Sequence, residues 1–130
     1  MAIQSSSEIH LAFYKKAIEI ESLSKVISNY LRADLSVLKP NGHEDLNVYF
    51  SGDIIRQSDC LAPEIMKAEQ EPFSEQKQKH AETLKWLTNR LFFNCSRLEK
   101  CNSDGREFIS ILSRELHKFK KLHKNWMLTI

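Results

Sequence analysis

Glycine and proline are scarce: three of each in a chain of 130 residues. Tight turns draw on residues that reach positive φ or hold φ fixed, so a sandwich or barrel with many turns is excluded. Cysteine is scarce too. Cys60, Cys95 and Cys101 are odd in number and form no C-x-x-C pair, which excludes a disulfide framework and a zinc ribbon. Reduced thiols and a cytoplasmic location are the expectation. No run approaches the roughly 18 apolar residues of a membrane span. The opening MAIQSSSEIH has no basic stretch followed by an apolar one, so no secretory signal is expected. No charge sign dominates, with 19 Lys and Arg against 17 Asp and Glu, and 42% apolar content argues against disorder. Catalytic signatures are missing as well: there is no Walker A loop, no G-x-S-x-G and no H-E-x-x-H. Without a triad, an acid–base pair or a cofactor motif, catalysis has no support and no cofactor is expected.

What is there points to helices. All prolines and two of the three glycines fall between positions 40 and 72, and the third glycine is Gly105. The stretches 1–39, 73–104 and 106–130 are therefore uninterrupted. In the first, Ser5 and Glu8 have capping-box spacing. Ile9, Phe13, Ala17, Ile20, Ile27, Leu31 and Leu38 then recur every three or four residues, one face of a 3.6-residue helix. Lys39-Pro40-Asn41-Gly42 predicts its end. The second helix is predicted from about Ser74 to Cys101, with Ala81, Leu84, Leu87, Leu91, Cys95 and Leu98 as its stripe. Asp104 and Glu107 have capping-box spacing before a last helix, whose apolar face is Phe108, Leu112, Leu116, Phe119, Leu122 and Trp126. One short connection makes these two an antiparallel hairpin. Between them and the first helix, LNVYF (46–50) is β-prone but isolated, and 53–66 has room for a short helix interrupted at Pro63. The expectation is an all-α fold in one domain over 1–130: a bundle of three long helices plus a shorter, irregular helical segment, four-helix-bundle-like. The 40–72 connection is acidic, with seven carboxylates against Arg56 and Lys67.

Three groups of residues stand out. Trp86 and Phe93 lie nearly opposite Leu84 and Leu91 on the second long helix. Leu11 and Ile18, with Tyr14 beside them, stand in the same relation on the first. A helix apolar on two sides is sandwiched between neighbours, either the 53–66 segment or another chain. This favours a non-enzymatic protein–protein interaction or regulatory module acting as a homodimer, or binding another protein.

The second group is the basic face of the last helix: Arg114, Lys118, Lys120, Lys121 and Lys124, extended by Arg106 and His117. It suits an anionic surface or an acidic partner. Nucleic acid is disfavoured because no aromatic or glycine-rich recognition motif accompanies the charge. The plain alternatives are a solvated helix face, or cover by the chain's own acidic 40–72 segment. The third group is His10, His80 and His123, which the hairpin register places at one bundle end. Facing histidines in a bundle can hold a metal or a small ligand, and they can equally be ordinary hydrogen-bonded residues.

Overall fold

A computed structural model of the chain describes residues 5–35, 42, 45–101 and 103–130. Five helices account for nearly all of them: α1 (Ser6–Leu35), α2 (Asn47–Asp59), α3 (Leu61–Gln70), α4 (Ser74–Leu98) and α5 (Arg106–Met127). The fold is all-α, a helical bundle, with no strand among the described residues.

The start of α1 follows its sequence signal. Glu8 N–H donates to Ser5 Oγ at 3.2 Å, and Ser5 N–H donates to Glu8 Oε2 at 3.3 Å. Each residue satisfies a backbone donor that the first turn leaves unpaired. Leu38 and the Lys39-Pro40-Asn41 stop lie outside the described residues. Gly42, which follows them, has φ of 81°, in the left-handed region that favours glycine.

The 40–72 segment departs most from expectation. The β-prone 46–50 stretch belongs to a helix. Asp45 Oδ1 accepts the backbone N–H of Asn47 at 2.9 Å and its side-chain amide at 3.0 Å, a turn that launches α2. Val48 and Phe50 then pack against the core, so tertiary burial overrides local preference. The helical break falls at Cys60, three residues before Pro63. A proline ring inside a helix collides with the carbonyl four residues earlier, and that residue is Asp59, the last of α2. Restarting at Leu61 puts Pro63 in the first turn of α3, where its missing N–H costs nothing. Cys60 serves both helices: its N–H donates to Gln57 O and its carbonyl accepts from Glu64 N–H.

Taken as one broken leg, α2 and α3 complete a four-cornered bundle. Lys16 Nζ of α1 reaches Glu115 Oε2 of α5 at 2.8 Å, and Lys25 Nζ reaches Asp59 Oδ1 of α2 at 3.7 Å. Asn94 of α4 donates to Gln57 of α2 at 2.9 Å, and His123 of α5 meets the Ala81 carbonyl of α4. Neighbouring legs run antiparallel, which makes α1 parallel to α4. These two sit on one diagonal, and the α2–α3 leg and α5 occupy the other.

The apolar stripes meet as one buried cluster. At one end Phe13 stacks on Phe119 at 4.7 Å and lies 5.1 Å from Trp126, centroid to centroid. Phe108 is a correction. It sits in the first turn of α5, half exposed, with the ring of Tyr30 edge-on to it, and Ile109 takes the buried place. The Asp104–Glu107 capping box is also not formed. Ser103 Oγ instead accepts Gly105 N–H at 3.0 Å, and Glu107 N–H turns to the Asp104 backbone carbonyl.

The α1–α2 contact contains a seam of small polar residues. Ser24 and Ser28 of α1 and Ser51 and Ser58 of α2 are fully buried. Ser28 Oγ donates to the Ser51 carbonyl at 2.5 Å, whereas Ser24 Oγ has no partner.

Candidate interaction surfaces and the histidine end

The outer face of α4 is an aromatic and cationic row. Trp86, Arg90, Phe93 and Arg97 are spaced four, three and four residues apart, so they line one side of the helix. Trp86 is 60% exposed and Phe93 51%. Cover by the 53–66 segment is thus overturned for both side chains. The α2–α3 leg packs against the flank of α4 that carries His80 and Asn94, leaving the outer face bare. The Arg90 guanidinium lies 5.9 Å from the Trp86 ring centre and 5.7 Å from that of Phe93. Arg97 is 5.4 Å from Phe93 and 3.9 Å from Phe50 of α2. Cations over ring faces are attracted by the ring quadrupole, which holds these long side chains down on the rings. Beside the row runs an open groove of about 540 Å³ lined by Leu46, Phe50, Phe93, Arg97 and Lys100, with Asp45 at its edge.

Leu11 and Ile18 are exposed and Tyr14 is half-buried, stacked on His10 with centroids 6.4 Å apart. These three belong to α1, diagonal to α4, so they form a patch separate from Trp86 and Phe93. The sequence pairs the two stripes by analogy, but the bundle puts them at opposite corners.

Arg114, Lys118, Lys120, Lys121 and Lys124 all face solvent on α5. Lys118 donates to Glu115 at 3.0 Å. The acidic leg does not fold over them, because the α2–α3 leg lies across the bundle from α5. The molecule consequently carries its acidic and basic flanks on opposite corners.

The three histidines do share one end of the bundle, and each has its own partner. His10 Nδ1 is 3.2 Å from Glu69 Oε1 without hydrogen-bond alignment, and that carboxylate oxygen accepts Trp126 Nε1–H at 2.7 Å. His80 lies between α4 and α3, with Nδ1 2.6 Å from Glu64 Oε1 and Nε2 3.4 Å from Glu71 Oε1. The Glu64 hydrogen bond, with Glu71 adding to it, raises the His80 pKa above its ordinary 6.5. His123 lies between α5 and α4, and its Nε2–H donates to the Ala81 carbonyl at 3.1 Å. Burial lowers its pKa below the same reference. Two histidines at one level therefore favour opposite protonation states. His80 and His123 occupy different helix–helix contacts, and among the described residues no three His, Cys, Asp or Glu side chains are grouped to hold a metal ion. His123 instead lines a cavity of about 280 Å³ between α4 and α5, which sequence reasoning missed. Its signal was available in the register that brings Lys85 opposite Lys120 and Lys124.

The three cysteines are free of disulfides. Cys60 is exposed, and Cys95 and Cys101 are buried. Burial pushes the Cys95 thiol up to about 12, so it is a packing residue rather than a nucleophile. No described helix is long and apolar enough to cross a membrane. No protein-family model, curated protein or solved structure shows significant similarity to this chain.

Proposed function

We propose that the protein is a non-enzymatic protein–protein interaction module whose docking surface is the outer face of α4, and that its partner presents an acidic amphipathic helix. The observation that carries this is the exposure of Trp86 and Phe93 in a row that alternates with Arg90 and Arg97. Trp and Arg are the residues most enriched where binding energy concentrates. The groove beside them adds Leu46 and Phe50 for apolar contact and Lys100 for charge, against one carboxylate, Asp45. Charge selects the occupant. A second copy docked by the same face about a two-fold axis would bring Arg90 and Arg97 towards their own equivalents, and like charges across an interface are costly. An acidic helix meets the same row with complementary charge and lays its apolar side on the rings. A reducing, cytoplasmic setting fits three free thiols.

Sedimentation of the purified chain at micromolar concentration is expected to give a 15.2 kDa monomer. A dimer that Trp86→Ala and Phe93→Ala dissolve would make the occupant a second copy and overturn the acidic-partner reading. A dimer indifferent to both changes but broken by Leu11→Ala with Ile18→Ala would move the interface to the α1 patch.

A further inference from the structure

A different surface carries an inference of its own. The cavity between α4 and α5 has an apolar floor that includes Ala81 and Met127, and His123 in its wall. Its mouth is cationic. Lys85 stands on the α4 side, and Lys120 and Lys124, one turn apart, stand on the α5 side. All three are exposed, and none has a carboxylate partner among the described residues, although Glu82 lies on the same rim. Elsewhere on this molecule cations do find carboxylates, as Lys16, Lys25 and Lys118 show. Two lysines four apart repel each other, and a third facing them adds to that repulsion. An anion held between the three relieves it.

The wall is pre-organised. The Nε2–H of His123 is fixed on the Ala81 carbonyl, and its ring rests 5.7 Å from Phe13 and 6.0 Å from Trp126. That bond leaves Nδ1 without a hydrogen bond inside the protein; it is an acceptor in the neutral ring and becomes a donor to a carboxylate only once the ring is protonated. Thr88, the nearest hydroxyl, is already committed to the Leu84 carbonyl at 2.7 Å. At about 280 Å³ the space suits a small molecule and not a peptide.

We infer that this cavity is a binding site for a small amphiphilic carboxylate, its hydrocarbon body on the Ala81–Met127 floor and its carboxylate among Lys85, Lys120 and Lys124. The site is distinct from the α4 outer face. Binding has a spectroscopic signature. His123 lies against the Phe13 and Trp126 rings and the Ala81 carbonyl, and shares the cavity lining with Glu82 and the three lysines; burial first and the Lys85 ammonium second oppose its protonation. A bound carboxylate offsets that ammonium charge, so the His123 titration midpoint moves upward on binding.

The test is titration with octanoate, followed by calorimetry and by the His123 ring resonances. Saturable binding is expected, at least tenfold tighter than octanol, with an upward shift of the His123 midpoint. The triple variant Lys85→Gln, Lys120→Gln, Lys124→Gln replaces exposed side chains, so it folds, and it is expected to lose binding tenfold or more. Absence of saturable binding overturns the proposal. Equal affinity for octanol, an unchanged triple variant, or a His123 midpoint that ignores octanoate does so too.

Discussion

Gly105→Ala is a substitution whose sign separates local propensity from packing. Gly105 caps α5 with φ of −62°, a conformation any residue adopts. On that ground alone alanine would stabilise by about 0.4–1 kcal/mol, through a less disordered unfolded chain. Packing says otherwise. A β-carbon at this position would lie 2.6 Å from Tyr30 Cδ1 and 2.9 Å from Leu31 Cδ2. Tyr30 is half exposed and can swing aside, but Leu31 is fully buried and cannot move without displacing its neighbours. Overpacking of this kind costs about 1–3 kcal/mol. Offsetting the two leaves a net loss of about 1–2 kcal/mol, or a fall in Tm of roughly 4–8 °C for a chain of this size. Gly52→Ala is the control. There the new atom would meet only the end of the Arg56 side chain at 3.4 Å, inside helix α2. That change is expected to stabilise by up to about 1 kcal/mol. Urea denaturation of both variants reads the two signs. If Gly105→Ala stabilises as Gly52→Ala does, the close approach of the α4–α5 turn to α1 is wrong.

The remaining expectations are smaller. Ser24→Ala removes a buried hydroxyl that has no partner and is expected to stabilise by about 1 kcal/mol, while Ser28→Ala, which breaks the bond to Ser51 O, is expected to cost about 1 kcal/mol. Equal effects in denaturant titrations would contradict the seam's geometry. Stability against pH is expected to peak around 6.5. His80, raised by Glu64, contributes fully below 6.5 and loses that contribution as pH rises through its raised value. His123, lowered by burial, contributes above 6.5 and loses it as pH falls through its lowered value. His80→Gln should flatten the alkaline limb only, and an acid limb that vanishes with it would refute the separate assignments. Glu115, lowered mainly by its bond to Lys16, adds a further loss below the ordinary carboxylate value of 4.5, which Glu115→Gln should remove from the thermal profile.

The long helices were legible because their apolar residues keep one period and their interruptions cluster. Leu84, Leu91, Phe119 and Trp126 are all buried where the spacing placed them. The hairpin register was legible: it places His80 and His123 at one bundle end, and His123 meets Ala81, the residue after His80. The 46–50 stretch misled because Val48, Tyr49 and Phe50 favour strands locally, and only the packing of Val48 and Phe50 on the core holds them in a helix while Tyr49 stays exposed. The split at Cys60 could have been derived from Pro63 by counting back four residues. The diagonal arrangement was not legible. Nothing in the periodicity of α1 or α4 says that they stand on a diagonal, which sets Leu11 and Trp86 on different sides of the bundle. Arg90 and Arg97 were not legible as a surface, because charged residues on an exposed arc look like ordinary solvation unless the aromatic rings beside them are exposed as well.

The docking role of the α4 face is tested most directly by a photo-crosslinking residue placed at Phe93 in cells, with the same residue at Leu11 as comparison. The expected result is an adduct from position 93 that joins an acidic helical segment of another protein, absent from position 11 and abolished by Arg90→Glu. Adducts from position 11 alone, adducts joining two copies of this chain, or a folded protein that yields none at position 93 would contradict the account.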